Sequence, residues 1–272
     1  MKRRFLALIA ILVVIGVLSF FLWRHMHRPV AQATLLYTVT PSAVTAIDAR
    51  WASGERIALR RGVHGWFLVA PVKAPANATR VNAFLDALGE PVAHRYDVAT
   101  IPLARAGLAP AYLSLRIGLQ QTDFGHTNPA SSLRYVRRGQ HILMVEDTLV
   151  PRLAAGPWQF VSASLLPPGE SVQGVQLGSG PVRDSPTLLA AWQHARATRI
   201  GPGDASSPSK PVTQVRLRLA HQSHPLVFDI LARQPRLQLS RAGSKLIYTL
   251  PAAAASRLLP ATLPAHARTT GG

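Results

Sequence analysis

The sequence predicts an α+β protein: an N-terminal transmembrane helix followed by two duplicated units of antiparallel β-meander with packed helices. Three observations carry this expectation. Residues Phe5 to Trp23 form one unbroken apolar run behind Lys2-Arg3-Arg4. Two later stretches, Tyr112 to Leu153 and Val212 to Leu259, repeat one succession of alternating segments and turns. A helix-spaced set of apolar residues precedes each stretch.

The apolar run comes first. Its nineteen residues would span about 28 Å as a helix, close to the ~30 Å hydrocarbon core of a bilayer. Its only polar side chain is Ser19. A secretory leader is the competing reading, with the first small-x-small site at Ala31-Gln32-Ala33. Leader apolar regions are shorter, about 7–15 residues, and the intervening Arg24-His25-Met26-His27-Arg28 suits a headgroup interface. Trp23, Arg24 and Arg28 are the expected interface residues. Basic residues ahead of the run, an absence of cysteine and an absence of nucleotide-binding signatures point to an exported C-terminal part. The expected address is the bacterial inner membrane, single-pass, with the C-terminal part periplasmic and inner-membrane lipid as its first partner.

The net charge is +18. Lys2, Arg3, Arg4, Arg24 and Arg28 flank the run, so 25 of the 30 basic residues face 12 acidic ones downstream, a balance of +13. Such a surplus fits a polyanion or anionic lipid. Placement outside the cytoplasm puts nucleic acid out of reach. The arginines are scattered through strand-like segments; Arg134, Arg137 and Arg138 come closest to an anion-contact cluster. Period-2 geometry turns Arg137 away from its neighbours.

The exported part begins with a strand at Val44–Arg50, then a hairpin of Arg56–Arg61 and Trp66–Pro71 around Gly62-Val63-His64-Gly65. Val81, Phe84, Leu85 and Leu88 follow at i, i+3, i+4 and i+7, a helical stripe. Tyr112–Ile117 alternates as a strand, Gln120-Gln121 turns, and Thr122–Gly125 returns. Leu133–Arg138, a turn at Gly139-Gln140 and His141–Val145 complete a meander. A short helix then runs from Asp147, an expected N-cap, through Leu149, Val150 and Leu153.

The second unit repeats this order. A strand at Val172–Leu177 leads to Ser185-Pro186, a cap with proline at the first helical position, and to Leu188, Trp192 and Ala195. Gly201 to Ser209 reads as a surface linker. Gln214–Leu219, a turn at His221–Pro225, Leu226–Ile230, Arg236–Arg241, a turn at Ala242-Gly243-Ser244 and Lys245–Thr249 form the second meander, with Gly243 matching Gly139. A helix opening at Pro251 closes it. The expected organisation is therefore a cytoplasmic N-terminus at 1–4, an anchor at 5–23, a juxtamembrane linker at 24–43, a first repeat at 44–170, a second, shorter repeat at 171–260 and a flexible tail at 261–272. A groove between the repeats is the natural ligand site.

Candidate chemistry is sparse. His221 and His224 sit in a turn with no third ligand near in sequence, which favours a solvated turn over a metal pair. Glu146-Asp147 point to opposite strand faces. Asn77-Ala78-Thr79 fits a glycosylation sequon, with Thr79 as helix cap the simpler account. No nucleophile elbow, phosphate-binding loop or dinucleotide fingerprint occurs. No catalytic, cofactor-binding or metal residue and no cofactor is expected.

Several segments resemble a known family. Gly65-Trp66-Phe67-Leu68-Val69-Ala70-Pro71, Pro75-Ala76-Asn77 and Val81-Asn82-Ala83-Phe84-Leu85 resemble the opening of the bacterial domain of unknown function 4340 family. Leu103 to Pro110 is similar to its aryl-Gly-Leu-x-Pro segment, and Phe124-Gly125-His126-Thr127-Asn128-Pro129 with Arg134-Tyr135-Val136 to its FG-x-T-x-P and RYV segments. Phe160-Val161 and Leu165-Leu166-Pro167 complete the series, which covers about 44–170 well and the second unit loosely. Ala106 stands where the family has an aromatic and Ala111 where it often has a second proline. The resemblance implies a single-anchor envelope protein, some members accompanying ABC transport components, and carries no catalytic residues. Shared glycines such as Gly65 and Gly107 suit positive φ, and Trp66 and Phe124 suit the core. The functional expectation is a non-catalytic accessory or scaffold component of an inner-membrane assembly, an ABC-type transport assembly being the kind the resemblance implies, with protein partners. The alternatives are a binding module for an anionic envelope polymer or lipid, and an uncharacterised hydrolase.

Overall fold

Alternating side chains downstream of the apolar run do form antiparallel ladders, and these gather into two sheets in a computed structural model that describes residues 34–203, 211–244 and 246–260. The fold is α+β with few helices. Residues from Leu36 onward make one compact unit. The apolar run 5–23, with Trp23, Arg24 and Arg28, lies outside the described residues, as does the tail 261–272. Among the described residues no helix is long and apolar enough to cross a membrane.

The first sheet has nine strands. They are β1 (Ala46–Trp51), β2 (Arg56–Gly62), β3 (Gly65–Ala70), β4 (Ala74–Pro75), β5 (Val92–Asp97), β6 (Leu113–Ile117), β7 (Gln120–Thr127), β8 (Arg134–Arg138) and β9 (His141–Val145). Their order is β4-β3-β2-β1-β6-β7-β8-β9-β5. The second sheet has seven: β10 (Val172–Leu177), β11 (Val182–Arg183), β12 (Arg199–Pro202), β13 (Thr213–Leu219), β14 (Leu226–Ala232), β15 (Leu237–Arg241) and β16 (Leu246–Leu250), in the order β11-β10-β13-β14-β15-β16-β12. Four helices accompany them: α1 (Ala78–Asp86), α2 (Leu149–Ala154), α3 (Pro186–Gln193) and α4 (Ala252–Leu258).

The two strand orders superpose. The series β1-β6-β7-β8-β9-β5 in one sheet matches β10-β13-β14-β15-β16-β12 in the other, with a helix before and after each meander. Registers agree in detail: Ser114 opposes Asp123 in the first and Gln214 opposes Asp229 in the second, each donating a side-chain hydrogen bond to its aspartate. Gly139 and Gly243 close matching turns with φ of 58° and 75°, a region open to glycine at no steric cost. The hairpin of β2 and β3 adds to the first sheet where the second has only two-residue β11.

Four strands run beyond the sequence expectation: β4, β5, β11 and β12. The outer strand β5 is exposed along nearly its whole length and β12 is largely solvated, so neither carries the alternation that betrays a half-buried strand. Gly201 and Pro202, expected in the linker, belong to β12, whose edge position tolerates proline; Asp204 to Ser209 lie outside the described residues.

Other local expectations shift as well. The β6–β7 turn is Gly118-Leu119, with φ +58° at Gly118, while Gln120 and Gln121 already pair with β6. Asp147 does not cap α2. Thr148 occupies that position without a side-chain cap, and Asp147 is bound to Arg134 instead. Asn77 rather than Thr79 caps α1, its Oδ1 accepting from Arg80 N at 3.2 Å. Ser185 stands at the N-cap of α3 without a side-chain bond, though Pro186 does open the helix. Pro251 is the N-cap of α4 and precedes its first turn.

One continuous core runs through both sheets. Val81, Phe84 and Leu85 of α1 are buried, Phe84 meeting Phe160 edge-on at 6.5 Å. Trp192 of α3 stacks on Phe228 at 6.0 Å, and its indole N–H donates to Leu258 O at 3.1 Å, closing α4 over the second sheet. Trp66 and Phe124 are core aromatics as expected. The segment 160–166 joins the halves. Asn77 N and Ser162 N tie it to the first through Phe160 O and Pro75 O, at 2.7 and 2.8 Å. Ala197 N donates to Ala163 O at 2.8 Å, and Ser164 bridges to Arg196, on the second side.

The outer face of β8 and β9 is covered by residues 98–111, whose Ala106 and Leu108 pack on Ile142. This cover sits directly on the bulged end of β7. His126 N donates to Ala106 O at 2.8 Å, and a Cβ at Gly125 would lie 2.0 Å from that oxygen. Gly107, with φ +67°, lies so close to the His126 ring that a Cβ there would be 2.5 Å away. At Gly125 the obstacle is the Ala106 backbone, which cannot swing aside as the His126 ring can. Gly125→Ala is expected to lift the cover and cost about 1–3 kcal/mol, read as a lower denaturation midpoint. An unchanged midpoint would remove the close approach from the stability of the fold.

Candidate functional site

Where the halves meet, their loops leave a groove of about 720 Å³, within the range of small-ligand sites. Phe67, Leu68 and Val69 of β3 with Ala74 and Pro75 of β4 form one wall. Pro167 to Glu170, just after the shared segment, form the floor, and His221-Gln222 and Arg241 to Ser244 come from turns of the second sheet. Proline at Pro75, Pro167 and Pro168 makes the walls stiff and poor in backbone donors.

Glu170 organises the polar end. Its carboxylate, 12% exposed, accepts from His221 N at 3.3 Å and Gln222 Nε2 at 3.2 Å. His221 Nδ1 lies 3.7 Å away, an ion pair whenever the imidazole is protonated. Glu170 O accepts from Gln193 Nε2 at 2.9 Å, and Gln193 Oε1 from Val172 N at 3.0 Å, so β10 and α3 hold the residue in place. Lys73 and Arg241 bring cations to the rim. The arrangement suits a ligand or peptide with an apolar body and an acidic end. His224, by contrast, hydrogen bonds Ser223 Oγ at 3.0 Å, and among the described residues no group of three metal-ligating side chains gathers.

The three arginines of the expected anion cluster are divided. Arg134 and Arg138 lie on the face of β8 that carries buried Val136, and Arg137 lies on the other. Arg134 grips both Asp147 oxygens, at 2.7 and 2.6 Å, and donates to Gly125 O. Arg137 pairs with Asp123 at 2.7 Å, and Arg138 donates to Leu36 O. Each guanidinium thus has an intramolecular acceptor. Burial alone would raise the Asp123 carboxyl, but hydrogen bonds from Ser114, Arg137 and Gln121 outweigh it and hold the group below its ordinary range.

Sequence reasoning missed two buried polar groups beside the chain's first described residues. Tyr37 is sealed in the core, and burial pushes its hydroxyl above the ordinary phenol range against the pull of Thr122 and Arg138. Neither the Tyr37 nor the Thr122 hydroxyl closes a hydrogen bond. Glu90 follows the 3-10 turn after α1, 5% exposed, with Oε1 accepting from Thr148 N at 3.3 Å and Oε2 unpartnered. Its isolated position before a proline carries no pattern that announces burial. Burial pushes its carboxyl up to about 7; Thr148 opposes this, and Asp147 and Glu146 add repulsion.

A raised carboxyl binds its proton more tightly in the folded chain. Between the ordinary glutamate range and about pH 7 the folded state holds a proton that the unfolded chain has lost, so stability falls as pH rises through that window. The loss expected is about 1–3 kcal/mol between about pH 5 and about pH 8. Glu90→Gln keeps an acceptor for Thr148 and cannot ionise, so its denaturation midpoints should vary less over that range and exceed the wild type's at the upper end. An undiminished slope in the variant would assign the effect elsewhere.

Comparison of the chain with family models, curated proteins and solved structures returns no match.

Proposed function

We propose that the chain is a single-pass, periplasm-facing accessory or scaffold protein of a bacterial inner-membrane assembly. In this reading its two halves are copies of one ancestral unit, and they present a partner-binding groove close to the bilayer. The observation that carries the reading is the groove itself, whose walls come from both halves and whose apolar sides end at Glu170, Lys73 and Arg241. A site of this build holds a segment of another protein by its side chains and selects it by charge. The matched strand orders and the paired Ser114–Asp123 and Gln214–Asp229 registers support duplication. The apolar run Phe5 to Trp23 supports the tether, and the resemblance to envelope proteins that accompany ABC transport components supports the assembly.

A photo-crosslinking side chain at Val69, on the groove wall and partly exposed, should yield one dominant adduct with an integral membrane protein in intact cells. The same probe at Leu119, on the exposed β6–β7 turn, should yield none. Equal, diffuse labelling from both positions would count against the groove as a partner site, and a chain found solitary in solubilised membranes would sink the scaffold reading.

A further inference from the structure

Period-2 geometry sends alternate residues of the first sheet away from the core, and the register lines them up across strands. Arg56 of β2 opposes Arg50 of β1, which opposes Ser114 of β6, then Asp123 of β7 and Arg137 of β8. One step along, Asp48 opposes Arg116. With Arg60, five guanidinium groups and two carboxylates share this face, a local surplus of three positive charges.

The two carboxylates are already engaged. Arg56 grips both Asp48 oxygens, while Arg50 and Arg60 lie 3.6 and 3.7 Å from them. Burial would raise the Asp48 carboxyl, but the Arg56 hydrogen bond and the three arginine charges hold it low. Arg50 keeps 65% of its side chain exposed, and Arg116 has one bond, to Gln121 Oε1 at 3.3 Å. Like charges placed directly opposite across strands, as Arg50 and Arg56 are, work against the sheet; Asp48 offsets part of this for the pair, and its single charge leaves the face with a cationic surplus. Arg50, Trp51, Arg116 and Gln121 also line a depression of about 440 Å³ against Pro110. There the apolar cover 98–111 stops and the open face begins.

We propose that this face of the first sheet is a docking surface for the phosphate headgroups of an anionic bilayer, with Arg50 and Arg116 as its principal contacts. The guanidinium fork matches phosphate oxygens in pairs. From β2 to β8 the face is about 19 Å wide at ordinary strand spacing, so it offers a broad surface in addition to the depression. Chain length favours a bilayer over a soluble polyanion: the eleven residues Arg24 to Thr34 extend to at most about 38 Å beyond the apolar run. The inference rests on the tether reading and adds a second, electrostatic contact to it.

The full chain, reconstituted in phosphatidylcholine vesicles with or without about 30% phosphatidylglycerol, tests this by arginine modification with phenylglyoxal mapped by mass spectrometry. Arg50 and Arg116 should react roughly fivefold more slowly in the anionic vesicles, and about 0.5 M salt should erase the difference. Arg218, exposed on the second sheet, serves as the reference. Equal rates in both vesicles overturn the proposal. So does protection by soluble polyphosphate in neutral vesicles without protection by anionic lipid, which would make the face a site for a linear polyanion. An alkaline carbonate wash reads the tether separately. A chain that washes off overturns the tether, and co-sedimentation of the released chain then decides for the face: binding to anionic but not neutral vesicles, lost in Arg50→Gln/Arg116→Gln, upholds it, and no binding ends it.

Discussion

The seven residues from Phe160 to Leu166 are the constraint on which the rest of the structure depends. Their backbone is paired with the first half through Asn77, Ala76 and Pro75, and with the second through Arg196 and Ala197. Phe160, Val161, Leu165 and Leu166 are all buried in the one core. A connection between similar units is usually a solvated loop. Here it has become an element of both, and the position of one half against the other follows from its hydrogen bonds. The groove inherits that precision, because Pro75 ends one side of the pairing and Pro167 to Glu170 leave from the other.

Much of this architecture was legible in the sequence, and the boundary of legibility is physical. Both meanders stood out because strands such as β6, β13 and β14 bury one face and alternate, while β9 and β16, buried on both faces, read as short apolar runs between turns. The agreement of Gly139 with Gly243 reflected a shared left-handed turn. β5 and β12 were invisible because each is largely solvated, with only Val92 and Ile200 reaching the core, and so shows no alternation. Caps failed for a related reason. Asp147 has the right chemistry for a helix N-terminus, but Arg134, thirteen residues earlier, offers a bidentate partner that no local rule includes. The arginine face was equally hidden. Its members come from four strands, and only the register brings Arg50, Arg56, Arg116 and Arg137 into one field. In the linear sequence Arg134, Arg137 and Arg138 seemed the closer group, yet they are spread over two faces.

The segments that carry the family resemblance acquire a physical reading. Gly107 and Gly125 lie in separate segments but serve one junction: Gly125 admits the Ala106 backbone and Gly107 the His126 ring. Ala106 O receives the His126 amide, and the Arg134 guanidinium reaches around to Gly125 O and Asp147. Asn128 Nδ2 donates to the Tyr135 hydroxyl at 3.0 Å, closing the same corner. In this structure these residues fasten a cover to a sheet.

The fastening of Leu36 and Tyr37 has a mechanical side. Leu36 N donates to Glu90 O at 2.7 Å, Tyr37 N to Leu88 O at 3.2 Å, and Arg138 holds Leu36 O from another strand. Any load delivered through the start of the chain therefore enters the fold at this one cleat. It is passed sideways into α1, through the turn that follows it, and into β8. The second half, whose described backbone pairing with the first runs through 160–166, lies off that load path, so its strands would be the last to feel strain entering at Leu36.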